Sequence, residues 1–531
     1  MELWSKIKYR ASRFPDKPAL VHMKASGASV ASYGSLRRAV PAVLDLLGRV
    51  DGKRVGLYVG NNPLWGVYDL ALTLGGATVV PIPQFFSPAQ IRHVIKDAKV
   101  SLLVVESMAQ VSLRFGAQTP EAFGALDPGA IIEADPKLIE APPADVSRGD
   151  KRMVAISPDR VIKIIYTSGT TGAPKGVMIR AGAVEAVAES LGEASKASNR
   201  DTHLSLLPLS TLLEAVGGLY LPLAKGAAVV YPEGVYGANL SVDPGRLAEA
   251  LVKTSPTTLI LVPALLGAIV RLAEAGVKLP KSLRYVACGG APVSITLLKR
   301  AAAVGMPVFQ GYGLSECTSV VAASSRGATR LGSVGKPLGH AVVTIARNGE
   351  VMVGGKALMA GYAADESAKA PKKWATGDLG YFDEDGFLYI TGRKDDVLTT
   401  AHGRNISPEW VEKELVATGA VRQAFVLENG SGRLVALVVP EDGWVEKAAS
   451  KLGVAKNGRD MARDPAIEKA MADEVKRASR ALPDYAAVKK VAITTEPFST
   501  SNGLLTQNGR LRRQEIAKKH AELLDRLCAH G

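Results

Sequence analysis

The chain has 531 residues, 47% of them apolar and 22% charged, which excludes an intrinsically disordered chain and exceeds what one hydrophobic core accommodates, so two or more domains are expected. Lysine and arginine outnumber aspartate and glutamate by 14. That favours anionic partners such as nucleotides, coenzyme phosphates and acidic lipid surfaces, but the surplus is spread along the chain without a zinc-finger, RNP or basic-zipper pattern, so nucleic acid is not expected.

In chain order, Leu3, Trp4, Ile7, Ala11 and Phe14 fall on one face of a short helix, with Lys6, Lys8 and Arg10 around it. Packing onto its own domain is expected; the alternative is peripheral contact with a membrane surface. The stretch has no apolar signal core, and Cys288, Cys317 and Cys528 form neither a CxxC pair nor a disulfide framework, so a cytoplasmic, reducing location is expected. No segment supplies the roughly 18 consecutive apolar residues of a membrane span. The nearest, residues 259–270, contains Pro263 and reads as a buried strand followed by a helix.

From Arg54 to about Gln310, short β-branched runs (VGLYVG, TVVPIP, TTLILV, LRYVACGG) alternate with helix-period segments, which predicts parallel strands joined by crossover helices. Between Gly332 and Arg393, turn punctuation such as ARNGEVMVGG and YFDEDGFLYITG predicts antiparallel hairpins. Beyond Arg393 the pattern is a smaller α+β one: a strand near 396–400, a helix from Pro408, strands around 421–427 and 434–439, then charged helix to Leu482. The expected fold class is therefore α/β, with a large N-terminal domain (1–393) of parallel sheets, crossover helices and a β-rich subdomain, and a smaller α+β C-terminal domain (394–531).

The chemistry concentrates in VIKIIYTSGTTGAPKGVMI. Thr167, Ser168, Gly169, Thr170, Thr171, Gly172, Ala173, Pro174, Lys175 and Gly176 bring four hydroxyls, three glycines and one lysine into ten positions. Such a loop wraps polyphosphate oxygens: glycine lets the backbone N–H groups approach, hydroxyls donate, and the lysine supplies charge. It is not a P-loop, because the spacing fails and no Ser or Thr follows the lysine.

With this segment the chain resembles the adenylate-forming enzymes, the family of acyl-CoA synthetases, peptide-synthetase adenylation domains and firefly-type luciferases, and the resemblance continues in order along nearly the whole chain. CGGAPVS resembles the family's adenine-side loop, which implies nucleotide contacts at Gly290, Ala291 and Pro292. In QGYGLSE, the resemblance implies that Gly311 borders the acyl pocket and the nucleotide, Tyr312 and Gly313 meet adenine, Ser315 sits beside the α-phosphate, and Glu316 is the Mg2+ ligand. It further implies that Asp378 holds the ribose hydroxyls, which one carboxylate does by accepting two hydrogen bonds, and that Arg393 contacts ribose or phosphate. Asp395 matches the hinge about which a mobile C-terminal domain swings between two half-reactions. HGRNISPEWVE matches the loop that implies coenzyme A contacts at Gly403 and Arg404, while His402 reads as a solvated loop residue.

Two positions depart from the family pattern. In LLPLSTLLEAVGG, Thr211 stands where an aromatic ring or histidine is usual, ahead of Glu214, and is expected in the acyl pocket. In NGLLTQNGRLRRQEI, Arg510 replaces the family's catalytic lysine; it keeps the charge but is larger and planar. With Lys175 and Glu316, Arg510 completes the expected catalytic set. The reading is an ATP- and Mg2+-dependent ligase that activates a medium- or long-chain fatty acid as acyl-AMP and transfers it to coenzyme A. The alternatives are transfer to a separate acyl carrier protein or another nucleophile, and, because of Arg510, a noncatalytic nucleotide-binding paralogue.

Overall fold

A computed structural model of the chain describes residues 1–115, 123, 126–167, 174–236, 242–399, 405–454, 458–480, 482–499, 502–506 and 509–528. Apolar runs such as Leu102–Val105 and Thr258–Leu261 are buried almost throughout, as strands covered on both faces must be. They assemble two large sheets. One has nine strands, with Val308–Tyr312, Tyr285–Cys288, Thr258–Leu261, Thr202–Leu204, Ala228–Pro232 and Pro18–Lys24 running parallel side by side. The other has seven, with Arg54–Tyr58 between Thr78–Pro81 and Leu102–Val105 in parallel.

Helices between the sheets share a single apolar core with both. Pro63–Leu74, started by Pro63 and capped by the Asn62 side chain, has 11 buried residues, so it is a core helix rather than a surface one. Within this layer Lys163 is fully buried and ion-paired to Asp69, which also accepts a hydrogen bond from the Tyr220 hydroxyl. The Lys163 ammonium lies 5.5 Å and 5.3 Å from the ring centroids of Trp65 and Tyr220. Burial lowers its pKa and Asp69 opposes that shift. The network ties the strand Val161–Thr167 to Pro63–Leu74 and to Ala215–Tyr220, which is a π-helix.

The stretch 332–393 supplies the expected antiparallel sheet, Ala341–Ile345, Glu350–Gly355, Lys373–Phe382 and Leu388–Arg393. Beyond it lie a hairpin, Leu398–Thr399 with Asn405–Ile406, and a three-stranded sheet of Val421–Glu428, Leu434–Pro440 and Val488–Ile493. This part has its own apolar cores, under Pro408–Ala417 and Pro465–Ser479 on one side and under Arg513–Lys519 and Ala521–Cys528 on the other.

Three details differ from expectation. Val161–Thr167 and Lys175–Arg180 pair antiparallel, so these two strands form a hairpin rather than flanking a crossover. The hairpin Pro18–Lys24 with Gly27–Ser32 was not anticipated. Leu3, Trp4, Ile7 and Ala11 are buried against the protein itself, but Phe14 is 45% exposed because it caps the helix, where the chain leaves the helical period. Among the described residues no helix is long and apolar enough to cross a membrane.

Candidate functional site

The C-terminal ends of Thr258–Leu261, Tyr285–Cys288 and Val308–Tyr312 open onto one cavity of about 730 Å³, closed from the other side by Thr506, Arg510 and Leu511. Strand ends of a parallel sheet are where ligands bind in such folds, because the chain reverses there and leaves a crevice.

Close backbone contacts shape the rim. A Cβ at Gly289 would lie 2.8 Å from the Gly311 carbonyl oxygen, and one at Gly313 only 1.6 Å from that of Ser319. Thr318 and Ser319 hold φ values of 50° and 86°, a left-handed backbone that non-glycine residues adopt at a cost. The Thr318 hydroxyl donates to the Ala357 carbonyl at 2.7 Å and secures the turn. The result is a single tight turn, Ser315–Cys317, that presents Ser315 and Glu316 to the cavity.

Glu316 is gripped from a distance in sequence. The Tyr362 hydroxyl donates to its Oε1 at 2.9 Å, and the Met359 N–H donates to its carbonyl oxygen at 2.8 Å. Lys175 approaches the same ring, its ammonium 5.9 Å from the Tyr362 centroid. Burial and the neighbouring Glu316 carboxylate push the Tyr362 hydroxyl well above its usual pKa, so it stays a donor. Among the described residues no group of three or more His, Cys, Asp or Glu side chains could hold a metal. One carboxylate at Glu316 can serve a hard cation that takes its remaining ligands from phosphate and water, as Mg2+ does in nucleotide sites.

Opposite, Asp378 and Arg393 face each other across adjacent strands. Asp378 is 3% exposed; its Oδ2 accepts from the Tyr312 hydroxyl at 2.7 Å and its Oδ1 from Arg393 at 2.9 Å. Arg393 also donates to the Thr376 carbonyl at 2.9 Å. A Cβ at Gly377 would stand 3.0 Å from that guanidinium, so glycine here leaves the arginine its path. A carboxylate has about four lone-pair sites, so Asp378 keeps acceptor capacity for a diol. Burial and then Asp378 raise the Tyr312 hydroxyl well above its ordinary pKa; for Arg393, burial is more than offset by Asp378, and its pKa is raised.

Arg510 enters from the C-terminal part, its Nε donating to the Gly290 carbonyl at 3.3 Å. Its backbone N–H donates to the Thr506 hydroxyl at 3.1 Å, and the Thr506 N–H donates to the Arg510 carbonyl at 2.8 Å, which sets the arginine on a defined turn. Asp395 lines the cavity where the two parts join. Lys394 pairs with Glu350 at 3.1 Å, and Arg513 reaches Asp396 at 3.8 Å while also bonding Glu412. The Lys394 bond holds Glu350 below its usual pKa. Burial pushes Glu412 up to about 7, against the opposing pull of Arg513.

The wall leading away from the rim is mostly apolar, with Leu213, Gly217, Leu221, Ile260 and Phe309 among its residues. Thr211 lines it too, but its hydroxyl is committed to the Pro208 carbonyl at 2.8 Å.

The structure thus gathers Thr167, Lys175, Thr211, Gly290, Gly311, Tyr312, Gly313, Ser315, Glu316, Asp378, Arg393, Asp395 and Arg510 around one cavity. Ala291 and Pro292 are partly exposed and lie next to Gly290 on the chain, outside the residues that line this cavity. Ser168, Gly169, Thr170, Thr171, Gly172, Gly403 and Arg404 lie outside the described residues. Sequence reasoning missed Tyr362 and Glu350, which carry no local motif, and Thr376, which stands two residues before Asp378 and was passed over for it.

A family model described as AMP-binding enzyme matches residues 7–363, and one described as AMP-binding enzyme C-terminal domain matches residues 395–530. The long-chain-fatty-acid–CoA ligase FadD15 of Mycobacterium bovis is 28% identical over 549 residues, covering 91% of this chain and 89% of that protein. O-succinylbenzoate coenzyme A synthetase from Bacillus subtilis, solved with ATP and magnesium ion, is similar with a TM-score of 0.73 at 23% identity, over 96% of this chain and 98% of that one. Anthranilate CoA ligase AuaEII, solved with anthranoyl-AMP, gives 0.78 at 18% identity, over 97% and 96%. The two solved structures show the same fold.

Proposed function

The chain belongs to the AMP-binding enzyme family, and from that premise we propose that it is an acid–thiol ligase that activates a fatty acid with ATP and passes the acyl group to coenzyme A. The observation that carries this reading is a single cavity holding a carboxylate at Glu316, a buried diol acceptor at Asp378, a guanidinium at Arg510 and an apolar wall leading away from all three.

A carboxylate is a poor acyl donor because its leaving group would be oxide. In the first half-reaction a carboxylate oxygen attacks the α-phosphorus, the bond to the β-phosphate breaks, and pyrophosphate leaves. Lys175 and the hydroxyl- and glycine-rich segment after Thr167 hold the polyphosphate; Asp378 fixes the ribose. Glu316, steadied by Tyr362, would hold Mg2+, which when bound neutralises phosphate charge. Arg510 lies over the reacting end and stabilises the charge that grows there, and its entry into the cleft supports catalysis over a noncatalytic binding role. In the second half-reaction the thiol sulfur bonds the acyl carbon, the bond to AMP breaks, and the thiol proton passes to solvent. We place the junction between the two moving parts at residues 393 and 394, with Asp395 as the pivot.

The test is pyrophosphate release over acids from butyrate to palmitate with ATP and Mg2+, then mass spectrometry of the thioester with coenzyme A present. Release with acid and thioester only with coenzyme A is expected. An enzyme that releases pyrophosphate with none of these acids refutes the reading.

A further inference from the structure

Resting on that ligase reading, we propose that Gly217 keeps an acyl channel open along the face of the nine-stranded sheet, and that the channel suits a straight-chain acid of about twelve carbons. The register fixes its course. Ile260, Ala287 and Phe309 form one rung across three adjacent strands, and His203, Thr258 and Tyr285 form another two residues deeper. All six line the cavity.

The depth follows from the strands. From Gly289 at the rim, the first rung is two residues down and the second four, or about 7 Å and about 13 Å at roughly 3.3 Å per residue. An extended backbone advances roughly 3.5 Å per three single bonds. The two rungs therefore stand about six and about eleven bonds from a carboxyl group held at the rim.

The polar side chains of the second rung are engaged with one another or with the backbone. The His203 ring nitrogens are engaged by Thr258 at 3.0 Å and by Glu214 at 3.2 Å, and the Tyr285 hydroxyl donates to the Ser324 carbonyl at 2.9 Å. Tyr285 stacks on Phe309 with centroids 4.3 Å apart. Just beyond, Arg284 is forked onto Asp201 and also bonds the Ser195 carbonyl. A terminal methyl gains nothing by pressing on that ion pair, so chains past about fourteen carbons gain little from their added methylenes.

Opposite the first rung the adjacent glycines of the π-helix do different work. A Cβ at Gly218 would fall 2.5 Å from Glu214 Oε1 and 2.7 Å from His203 Nε2, so Gly218 makes room for that buried pair. A Cβ at Gly217 would fall 2.8 Å from Ile260 Cδ1 and 3.8 Å from Leu191 Cδ1, and Gly217 lines the cavity. A side chain there cannot coexist with Ile260 as it stands, so one of the two is pushed into the lumen at the depth of the sixth carbon.

The experiment measures kcat/KM for pyrophosphate release over saturated acids of even chain length, for wild type, Gly217→Val and Ile260→Ala. For wild type the value rises by about fourfold per methylene from hexanoate to dodecanoate and levels off beyond tetradecanoate. Gly217→Val cuts the dodecanoate-to-hexanoate ratio by at least about a hundredfold, since it forfeits most of those methylenes. Ile260→Ala, which widens the same rung and guards against a misfolded valine variant, raises the ratio of 6-phenylhexanoate to dodecanoate about tenfold or more. A flat wild-type profile, an unchanged ratio in Gly217→Val, or no effect of Ile260→Ala overturns the channel while leaving the ligase reading standing. A wild type inert with every acid overturns both.

Discussion

Arg510→Ala separates the two half-reactions. The guanidinium is anchored at both ends, its backbone by Thr506 and its Nε by the Gly290 carbonyl at 3.3 Å, and the side chain lines the cavity. A unit charge about 4 Å from charge developing on the α-phosphate, at an effective dielectric of about 20, contributes about 4 kcal/mol. Removing one donor to a developing oxyanion in enzymes costs a comparable hundred- to thousandfold in kcat. Arg510→Ala is therefore expected to slow pyrophosphate release by about 10²–10³-fold, while thioester formation from pre-made acyl-AMP and coenzyme A keeps most of its rate. Arg510→Lys keeps the charge but loses the planar fork and the Gly290 bond, and should fall between the two. The assay is rapid-quench of each half-reaction on the same protein preparation. Wild-type pyrophosphate release by the alanine variant would show that the guanidinium does not act on the reacting phosphate. Equal loss in both halves would show that it acts by holding the two parts together.

Tyr362→Phe removes the hydroxyl that steadies Glu316; a hydrogen bond to a charged group is worth about 1.5–3 kcal/mol, so adenylation should fall roughly 10- to 100-fold and half-saturate at higher Mg2+. An unchanged Mg2+ titration would sever the link from Tyr362 to Glu316. Glu412 is held up near 7 by burial, from 4.5. The folded state keeps its proton longer than the unfolded one, so its contribution is complete below pH 4.5 and is lost as pH rises through about 7, roughly 3 kcal/mol in all. Glu412→Gln should flatten that slope in urea melts taken between pH 5 and 8, and the same slope in the variant would clear Glu412 of the effect. Asp395→Pro fixes φ at the junction; adenylation should survive within about tenfold while thioester formation drops at least a hundredfold, and equal effects on both would mean that the pivot lies elsewhere.

What could be read in the sequence was chemistry packed into contiguous letters. Thr167 and Lys175 at the ends of the hydroxyl–glycine run, the GYGLSE segment, and Thr376 to Asp378 each bring several groups to one cavity within a few residues, and β-branched runs alternating with helical periods announce parallel sheets. Side chains that meet only through the fold were silent. Tyr362 reaches Glu316 across 46 positions, and Asp69, Lys163 and Tyr220 meet from three separate elements. Lys163 sits inside VIKIIYT, where an apolar pattern gives no reason to expect a buried ammonium, because its partner lies 94 residues earlier. The glycines at 217 and 218 look alike in the sequence; in the fold one packs on Ile260 at the cavity wall and the other on the buried pair of Glu214 and His203.

The ion pairs on either side of Asp395 are those the proposed pivot requires. Lys394 is bound to Glu350 and its N–H to the Gly377 carbonyl, both partners in the N-terminal part. Asp396 is bound to Arg513, which in turn holds Glu412 and lies over the Phe425 ring, all within the C-terminal part. A rotation at Asp395 can therefore leave each anchor intact. Across the cleft, the pairing of Arg271 with Glu441 is 3.6 Å long, and the Arg271 side chain is 56% exposed, a kind of ion pair that contributes at most about 1 kcal/mol. With Arg510 on Gly290 as a second polar bridge and the Asp396 N–H on the Arg393 carbonyl at 3.3 Å at the junction itself, the bridges among the described residues are of modest strength. A contact that weak can be broken once pyrophosphate has left, as one cavity serving two successive nucleophiles requires.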